Sequence, residues 1–121
     1  MRRLARSLLA LALALLPGSC SDGLLDDSFT VVAGSGLQPE YSWNGGPVST
    51  ITVVRTAAPG VVIWGLSAGA ADRITSPRRH GSSDPAFIPL GGQEPTLSPG
   101  VEYRVRVERA TGAIAVAIFR P

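Results

Sequence analysis

The stretch from residue 97 to residue 107 constrains the fold of this chain more than any other. It runs Leu-Ser-Pro-Gly-Val-Glu-Tyr-Arg-Val-Arg-Val, so apolar and charged side chains alternate after a Pro-Gly turn. Strict period-two alternation is typical of a β-strand that buries one of its faces. After a break at residues 110–112, the alternation resumes with Ile114, Val116 and Ile118. The two segments therefore predict a β-hairpin.

The second strand of this hairpin has Ala113, Ala115 and Ala117 between its larger side chains. We expect the alanine face to point outward, opposite Arg104 and Arg106. The aliphatic stems of the arginines can cover such small side chains.

Between the N-terminal segment, which is predicted to be a signal helix, and the hairpin, the sequence predicts further short strands and no helix. Strand candidates precede the hairpin at residues 29–33, 39–43, 50–55, 61–66 and 86–90. Pro85 and Pro89 restrict the last of these to a sheet edge, because proline donates no backbone hydrogen bond. Residues 67–85 are rich in Gly, Ser, Pro and Ala and are predicted to be mostly loop. The fold class is therefore all-β, a small antiparallel β-sandwich of about seven strands.

The N-terminus has the pattern of a secretion signal. Arg2, Arg3 and Arg6 precede a run of only Leu and Ala at residues 8–16. That run is shorter than the roughly 20 residues that span a bilayer, and it suits the apolar core of a signal helix. The predicted organisation is a signal peptide at 1–19, a tether at 20–28 and a β-sandwich domain at 29–121.

Gly18, Ser19 and Cys20 follow the apolar run. This arrangement resembles the lipobox of bacterial lipoprotein signal peptides, although Pro17 stands where that family usually has Leu. The resemblance implies an exported protein whose Cys20 is lipidated, which makes the membrane its first partner. Ser21 after the Cys implies the outer membrane rather than the inner one. A plain signal peptide with an incidental Cys is the alternative.

Removal of the signal would change the charge of the chain. Three of the eleven basic residues lie in the first 19 residues, which leaves eight against nine Asp and Glu, a net charge of −1. A general nucleic-acid binder needs a basic surface. We therefore expect no nucleic-acid partner.

The motif Leu-x-Pro-Gly-x-x-Tyr-x-Val-x-Val, which ends at Val107, is similar to the fibronectin type III pattern that leads into the sixth strand. Trp43 is similar to the core Trp on that family's second strand. The resemblance covers residues 28–120 and implies that the hydroxyl of Tyr103 bonds a nearby backbone group at the strand corner. Another immunoglobulin-like sandwich fits the same strands. The family consists mostly of binding and spacer modules, although fold alone does not fix function.

A serine hydrolase motif also occurs. Residues 65–69 spell G-x-S-x-G around Ser67, and Asp72 and His80 follow. A nucleophile elbow requires a helix after the strand, and none is predicted here. The chain is also too short for the alternating strands and helices of that fold. We expect no enzyme, and a small serine hydrolase using Ser67 is the minor alternative.

No metal or other cofactor is expected. His80 is the only His and Cys20 the only Cys of the chain, so a zinc cluster cannot be assembled. The sequence also lacks a phosphate-binding loop and a dinucleotide fingerprint.

The candidate partner-binding residues are Trp64, Arg73, Arg78, Arg79 and His80. Clustered arginines can bind phosphates or carboxylates through paired hydrogen bonds, which suggests an envelope protein or an anionic glycan as partner. A solvated loop is the alternative for the basic residues. Trp64 is either buried, which we favour, or an outward apolar anchor.

These features predict an exported, lipid-anchored β-sandwich module with a non-catalytic binding or structural role in the bacterial envelope. An accessory lipoprotein of an envelope secretion or assembly machine is an alternative with the same sequence features.

Overall fold

The computed structural model describes residues 28–121, which form two antiparallel β-sheets. The strands are β1 (Val31–Ala33), β2 (Glu40–Trp43), β3 (Thr50–Arg55), β4 (Ala58–Ser67), β5 (Arg78–Arg79), β6 (Ile88–Leu90), β7 (Tyr103–Glu108) and β8 (Ile114–Phe119). This range contains no helix, and hence none that could cross a membrane. The predicted signal peptide at 1–19, Cys20 and the tether up to residue 27 lie outside the described residues.

The strands divide unequally between the sheets. One sheet has the order β1-β2-β5, and the other has the order β6-β4-β3-β7-β8. Apolar side chains from both sheets form one buried cluster. The prediction of an all-β fold with two antiparallel sheets is confirmed, and the arrangement is consistent with a small β-sandwich.

Two strands differ from the prediction. β4 begins at Ala58 instead of Val61, because the β3–β4 register shifts around Val54 and so accommodates extra residues in the ladder. β5 lies inside the segment predicted as loop, and its two residues are too few to show any periodicity. β6, with Pro89 at its centre, confirms the predicted edge strand.

The β7–β8 hairpin is present, but the prediction of which face of β8 is buried is wrong. Ala115 is 4% exposed, whereas Val116 and Ile118 are 45% and 62% exposed. In the ladder, Ala115 faces Val107 and Val116 faces Arg106. Directly opposed residues share one face of a sheet, so the alternation of β7 turns the alanines inward. Register, and not side-chain size, selects the buried face.

Two large aromatic residues connect the core to the turns of the domain. Trp43 on β2 and Tyr103 on β7 come from opposite sheets, and both are buried as predicted. The indole Nε1–H of Trp43 donates to the Gly46 carbonyl at 3.1 Å. The hydroxyl of Tyr103 accepts the backbone N–H of Ser98 at 2.9 Å, which is the contact that the sequence pattern implies for it.

We expect Trp43→Ala to lower the free energy of unfolding by about 3–5 kcal/mol, because it leaves a large cavity in the core. Urea denaturation monitored by circular dichroism measures this change in the free energy of unfolding. Val32→Ala is the control, because Val32 lies on the same sheet and is largely exposed; its cost should stay below about 0.5 kcal/mol. Equal costs for the two variants would contradict this description of the core.

Candidate functional site

Phe87 organises the surface where the arginine-rich loop meets the outer edge of β6. The guanidinium carbon of Arg78 lies 5.2 Å from the centre of the Phe87 ring, and that of Arg73 lies 5.6 Å from it. Both distances suit attraction between a cation and an aromatic ring. The ring itself packs partly against the core, so it provides a firm base for the two cations.

Each of the three guanidinium nitrogens of Arg78 donates a hydrogen bond. Its Nε–H donates to the Thr75 carbonyl at 3.0 Å, one Nη donates to the Thr75 hydroxyl at 3.2 Å, and the other forms an ion pair with Asp84 at 3.3 Å. Asp84 also accepts the backbone N–H of Ala86 at 2.9 Å. That N–H and the Arg78 guanidinium hold the pKa of the Asp84 carboxyl below its usual value. Arg78 therefore stabilises the loop.

Arg73 differs from Arg78, because its guanidinium has no hydrogen bond or ion pair with any residue in the range 28–121. Its backbone is fixed, since its N–H donates to the Val48 carbonyl at 3.1 Å. Arg73 is thus an exposed cation on an anchored segment, with its donors available to an outside anion.

An open pocket of about 440 Å³ lies beside this pair of arginines. Its walls are formed by Leu66, Ser83, Asp84, Pro85, Phe87 and Pro89. Most of these side chains are apolar, and Asp84, the one charged group, already pairs with Arg78. Because Phe87 is a wall of the pocket and also contacts Arg73, an apolar recess lies next to an uncompensated positive charge.

The other predicted partner-binding residues lie elsewhere. Arg79 is exposed on the opposite side of β5, where it lies 3.9 Å from Glu40. Trp64 is fully buried, and its indole N–H donates to the Ser82 carbonyl at 3.3 Å. His80 is also buried. The favoured burial of Trp64 is confirmed, and neither Trp64 nor His80 can contact a partner directly.

His80 forms a buried polar network between the two sheets. Its Nδ1 lies 2.8 Å from the Tyr41 hydroxyl, and its Nε2 lies 2.9 Å from the Glu94 carbonyl oxygen. A carbonyl only accepts, so Nε2 must carry the proton, and the neutral ring then accepts from Tyr41 at Nδ1. Burial lowers the pKa of His80 and raises the pKa of Tyr41, so the two groups remain neutral donor and acceptor.

The residues of the serine hydrolase motif are not brought together. The Ser67 hydroxyl accepts the N–H of Gly69 at 3.1 Å, and Asp72 accepts the N–H of Ala110 at 2.7 Å. Both ring nitrogens of His80 are occupied in the network described above. Residues 28–121 also contain no group of three side chains that could hold a metal ion.

Sequence reasoning missed the pocket and its central aromatic residue. Phe87 is an isolated aromatic in a stretch of small residues and prolines, and Asp84-Pro85 just before it has the composition of a turn. A turn that presents a single aromatic side chain beside several arginines is a signal that could have identified this surface.

We expect the stability of the domain to fall as the pH drops below about 6.5, the ordinary pKa of His. The folded pKa of His80 is lower than its unfolded value, so the unfolded chain takes up the proton first, and the contribution of the neutral ring is lost as the pH falls. His80→Gln removes the titrating ring but keeps a donor for the Glu94 carbonyl. The variant should be less stable at pH 7.5 and should show a flatter dependence between pH 7 and pH 5 in urea denaturation. Parallel curves for the two chains would contradict the network.

Comparison of the chain with protein-family models, with curated proteins and with solved structures gave no match.

Proposed function

We propose that this chain is an exported, lipid-anchored β-sandwich of the fibronectin type III kind, with a non-catalytic binding role in the bacterial envelope. The observation that carries the binding role is the exposed Arg73 guanidinium, which has no hydrogen bond or ion pair within residues 28–121 and stands over Phe87 beside an open apolar pocket. Its partner is an envelope protein or glycan that presents an anionic group next to an apolar one.

The strand order supports the fibronectin type III assignment. In immunoglobulin-like sandwiches the first, second and fifth strands share one sheet, and the third, sixth and seventh share the other. β1, β2 and β5 correspond to the first set, and β3, β7 and β8 to the second. β4 and β6 extend the second sheet beyond β3. The hydrogen bond from the Ser98 N–H to the Tyr103 hydroxyl resembles the tyrosine corner of these folds.

The chemistry of Arg73 supports an anionic ligand group. A guanidinium is weakly hydrated and can donate two parallel hydrogen bonds to a carboxylate or a phosphate. The neighbouring Arg78 adds positive charge, but each of its three guanidinium nitrogens already donates to Thr75 or Asp84. Arg78 therefore stabilises the loop, and Arg73 is available to bind a ligand.

The sequence supports the lipid anchor, through Gly18, Ser19 and Cys20 after the apolar run. An anchor of this type places the domain at a membrane surface, where proteins and glycans of the envelope are close. The occupied nitrogens of His80 and the separate partners of Ser67 and Asp72 favour binding over hydrolysis.

We expect Cys20→Ala to release the protein from membranes or to stall its processing. Each buried methylene of an acyl chain contributes about 0.8 kcal/mol to membrane binding, and two or more chains give stable anchoring. Fractionation of cells that express the full chain measures this. A Cys20→Ala variant that is processed and sediments with membranes like the parent would rule out the lipid anchor.

We expect Arg73→Ala to weaken capture of the partner about tenfold or more, since hydrogen bonds to charged groups are worth about 1.5–3 kcal/mol. Mild crosslinking in native membranes followed by purification of the full chain measures capture. Arg79→Ala is the matched control, with the same change in charge on the opposite side of β5. Capture by the parent should also decline between 50 and 300 mM salt, because salt screens exposed charges.

Equal losses for Arg73→Ala and Arg79→Ala would indicate a nonspecific charge effect. If capture survives both changes and is abolished by Arg104→Ala and Arg106→Ala, the binding surface is the final hairpin. Arg78→Ala is unsuitable as a binding probe, because its contacts with Thr75 and Asp84 make a lower melting temperature the expected result.

A further inference from the structure

The edge strands of the two sheets differ in how well they are protected against pairing with a strand of another molecule. β1, β5 and β6 have three, two and three residues; β5 consists of two arginines, and β6 contains Pro89. β8 has six residues with an unbroken register to β7 and no charge or proline within it. Short strands, charges, prolines and bulges are the means by which proteins prevent edge-to-edge pairing. β8 has none of them.

The hydrogen-bonding pattern identifies which backbone groups of β8 face outward. The N–H of Arg109 donates to the Ala113 carbonyl at 2.9 Å, so residue 113 is turned toward the β7 side. Residues turned toward the partner strand alternate along an antiparallel ladder. Ile114, Val116 and Ile118 therefore direct their N–H and C=O groups to the side of β8 on which no other described strand is paired. None of these groups bonds another backbone group in residues 28–121 outside the β7–β8 ladder.

The side chains of the same three residues form an apolar strip on the sheet surface next to this edge. Val116 and Ile118 are among the most exposed large apolar residues of the described chain, and Ile114 is partly exposed. Unpaired backbone groups and exposed β-branched side chains thus occur on the same residues. This combination favours the addition of another strand.

We infer that β8 pairs with β8 of a second copy of this chain, antiparallel about a twofold axis at Val116. In this register Val116 faces Val116 of the second copy, and Ile114 faces Ile118. Every outward N–H and C=O of the three residues then finds a partner, which gives six hydrogen bonds across the axis. The pairing is self-complementary, as a twofold interface requires, and it joins two five-stranded sheets into one.

The charges next to β8 fit this register. Arg104 lies beside Ile118 on β7, and Glu108 lies beside Ile114. Each outer row of the joined sheet therefore has Arg104 at one end and Glu108 of the second copy at the other. In the central row the two Arg106 side chains are separated by both β8 strands, and each is already within 3.3 Å of its own Glu108. The two ends of each outer row therefore have opposite charges, and no like charges become adjacent.

Disulfide trapping in membranes of cells that express the full chain tests this register. Val116→Cys places two thiols in directly opposed positions, where Cα atoms are about 5.5 Å apart and within the range that a disulfide bridges. Ile118→Cys is the matched control, because its counterpart in the second copy lies about 14 Å away along the strands. Val32→Cys, exposed on the other sheet, and the parent chain, whose only Cys is Cys20, report random collision.

The expected result is a disulfide-linked dimer of Val116→Cys at least five times as abundant as that of either Cys control. Equal crosslinking at the three positions, or none at Val116, overturns the inference. Sedimentation of the full chain in detergent provides a second measurement: Val116→Lys should shift the dimer to monomer, and Val32→Lys should not. A monomeric parent in the same detergent would count against the pairing. Because β8 lies on a different surface from Arg73 and Phe87, this result is independent of the partner proposed above.

Discussion

The hydrogen bonds of His80 hold together parts of the domain that the β-ladders join only weakly. β5 contributes two residues to the small sheet, so the ladder alone fixes little of the long loop between β4 and β6. The His80 N–H donates to the Pro39 carbonyl at 2.8 Å, and the ring connects Tyr41 to the Glu94 carbonyl. Gly81, with a φ of 82°, allows the chain to pass within contact of Pro95 directly afterwards. One neutral imidazole thus joins β2, the long loop and the segment after β6.

This network determines what the surface can offer. His80 and Trp64 are held inside, and the arginines that lie between them in the sequence are exposed or partly exposed. Arg78 bonds Thr75 and Asp84. These contacts fix the turn that carries Phe87. Within residues 28–121, the guanidinium of Arg73 has no hydrogen-bond acceptor. The buried histidine and the exposed arginine therefore belong to one loop, in which Arg78 is bonded to neighbouring residues and Arg73 remains available.

The sequence predicts the parts of the fold in which a single alternating pattern distinguishes the two faces. Charged residues between Val101, Tyr103, Val105 and Val107 leave one choice for the buried face of β7. β8 has no such contrast, because alanine and the larger aliphatic side chains are both apolar, and its buried face depends on pairing with β7. The start of β4 at Ala58 depends in the same way on the register shift around Val54 of its partner strand β3.

The candidate site is also predicted only in part from the sequence. The concentration of arginines in one loop is visible in the sequence, whereas their separation is not. Arg78 and Arg79 are neighbours in the chain, but adjacent residues of a strand point to opposite faces, so only Arg78 joins Arg73 at Phe87. The pocket walls come from β4, β6 and the loop between β5 and β6. Because these segments meet only in the folded domain, a local sequence pattern cannot predict the pocket.

The hydrogen bond between Tyr41 and His80 joins residues 39 positions apart, and this separation has a consequence for the order of folding. The β7–β8 hairpin closes over a short turn, whereas docking of His80 requires a long segment to be ordered first, at a larger entropic cost. We expect the five-stranded sheet to assemble before the loop closes over it. We expect local unfolding to follow the opposite order, because regions held by few contacts open first under native conditions. The segment around His80 is therefore expected to open while the larger sheet persists.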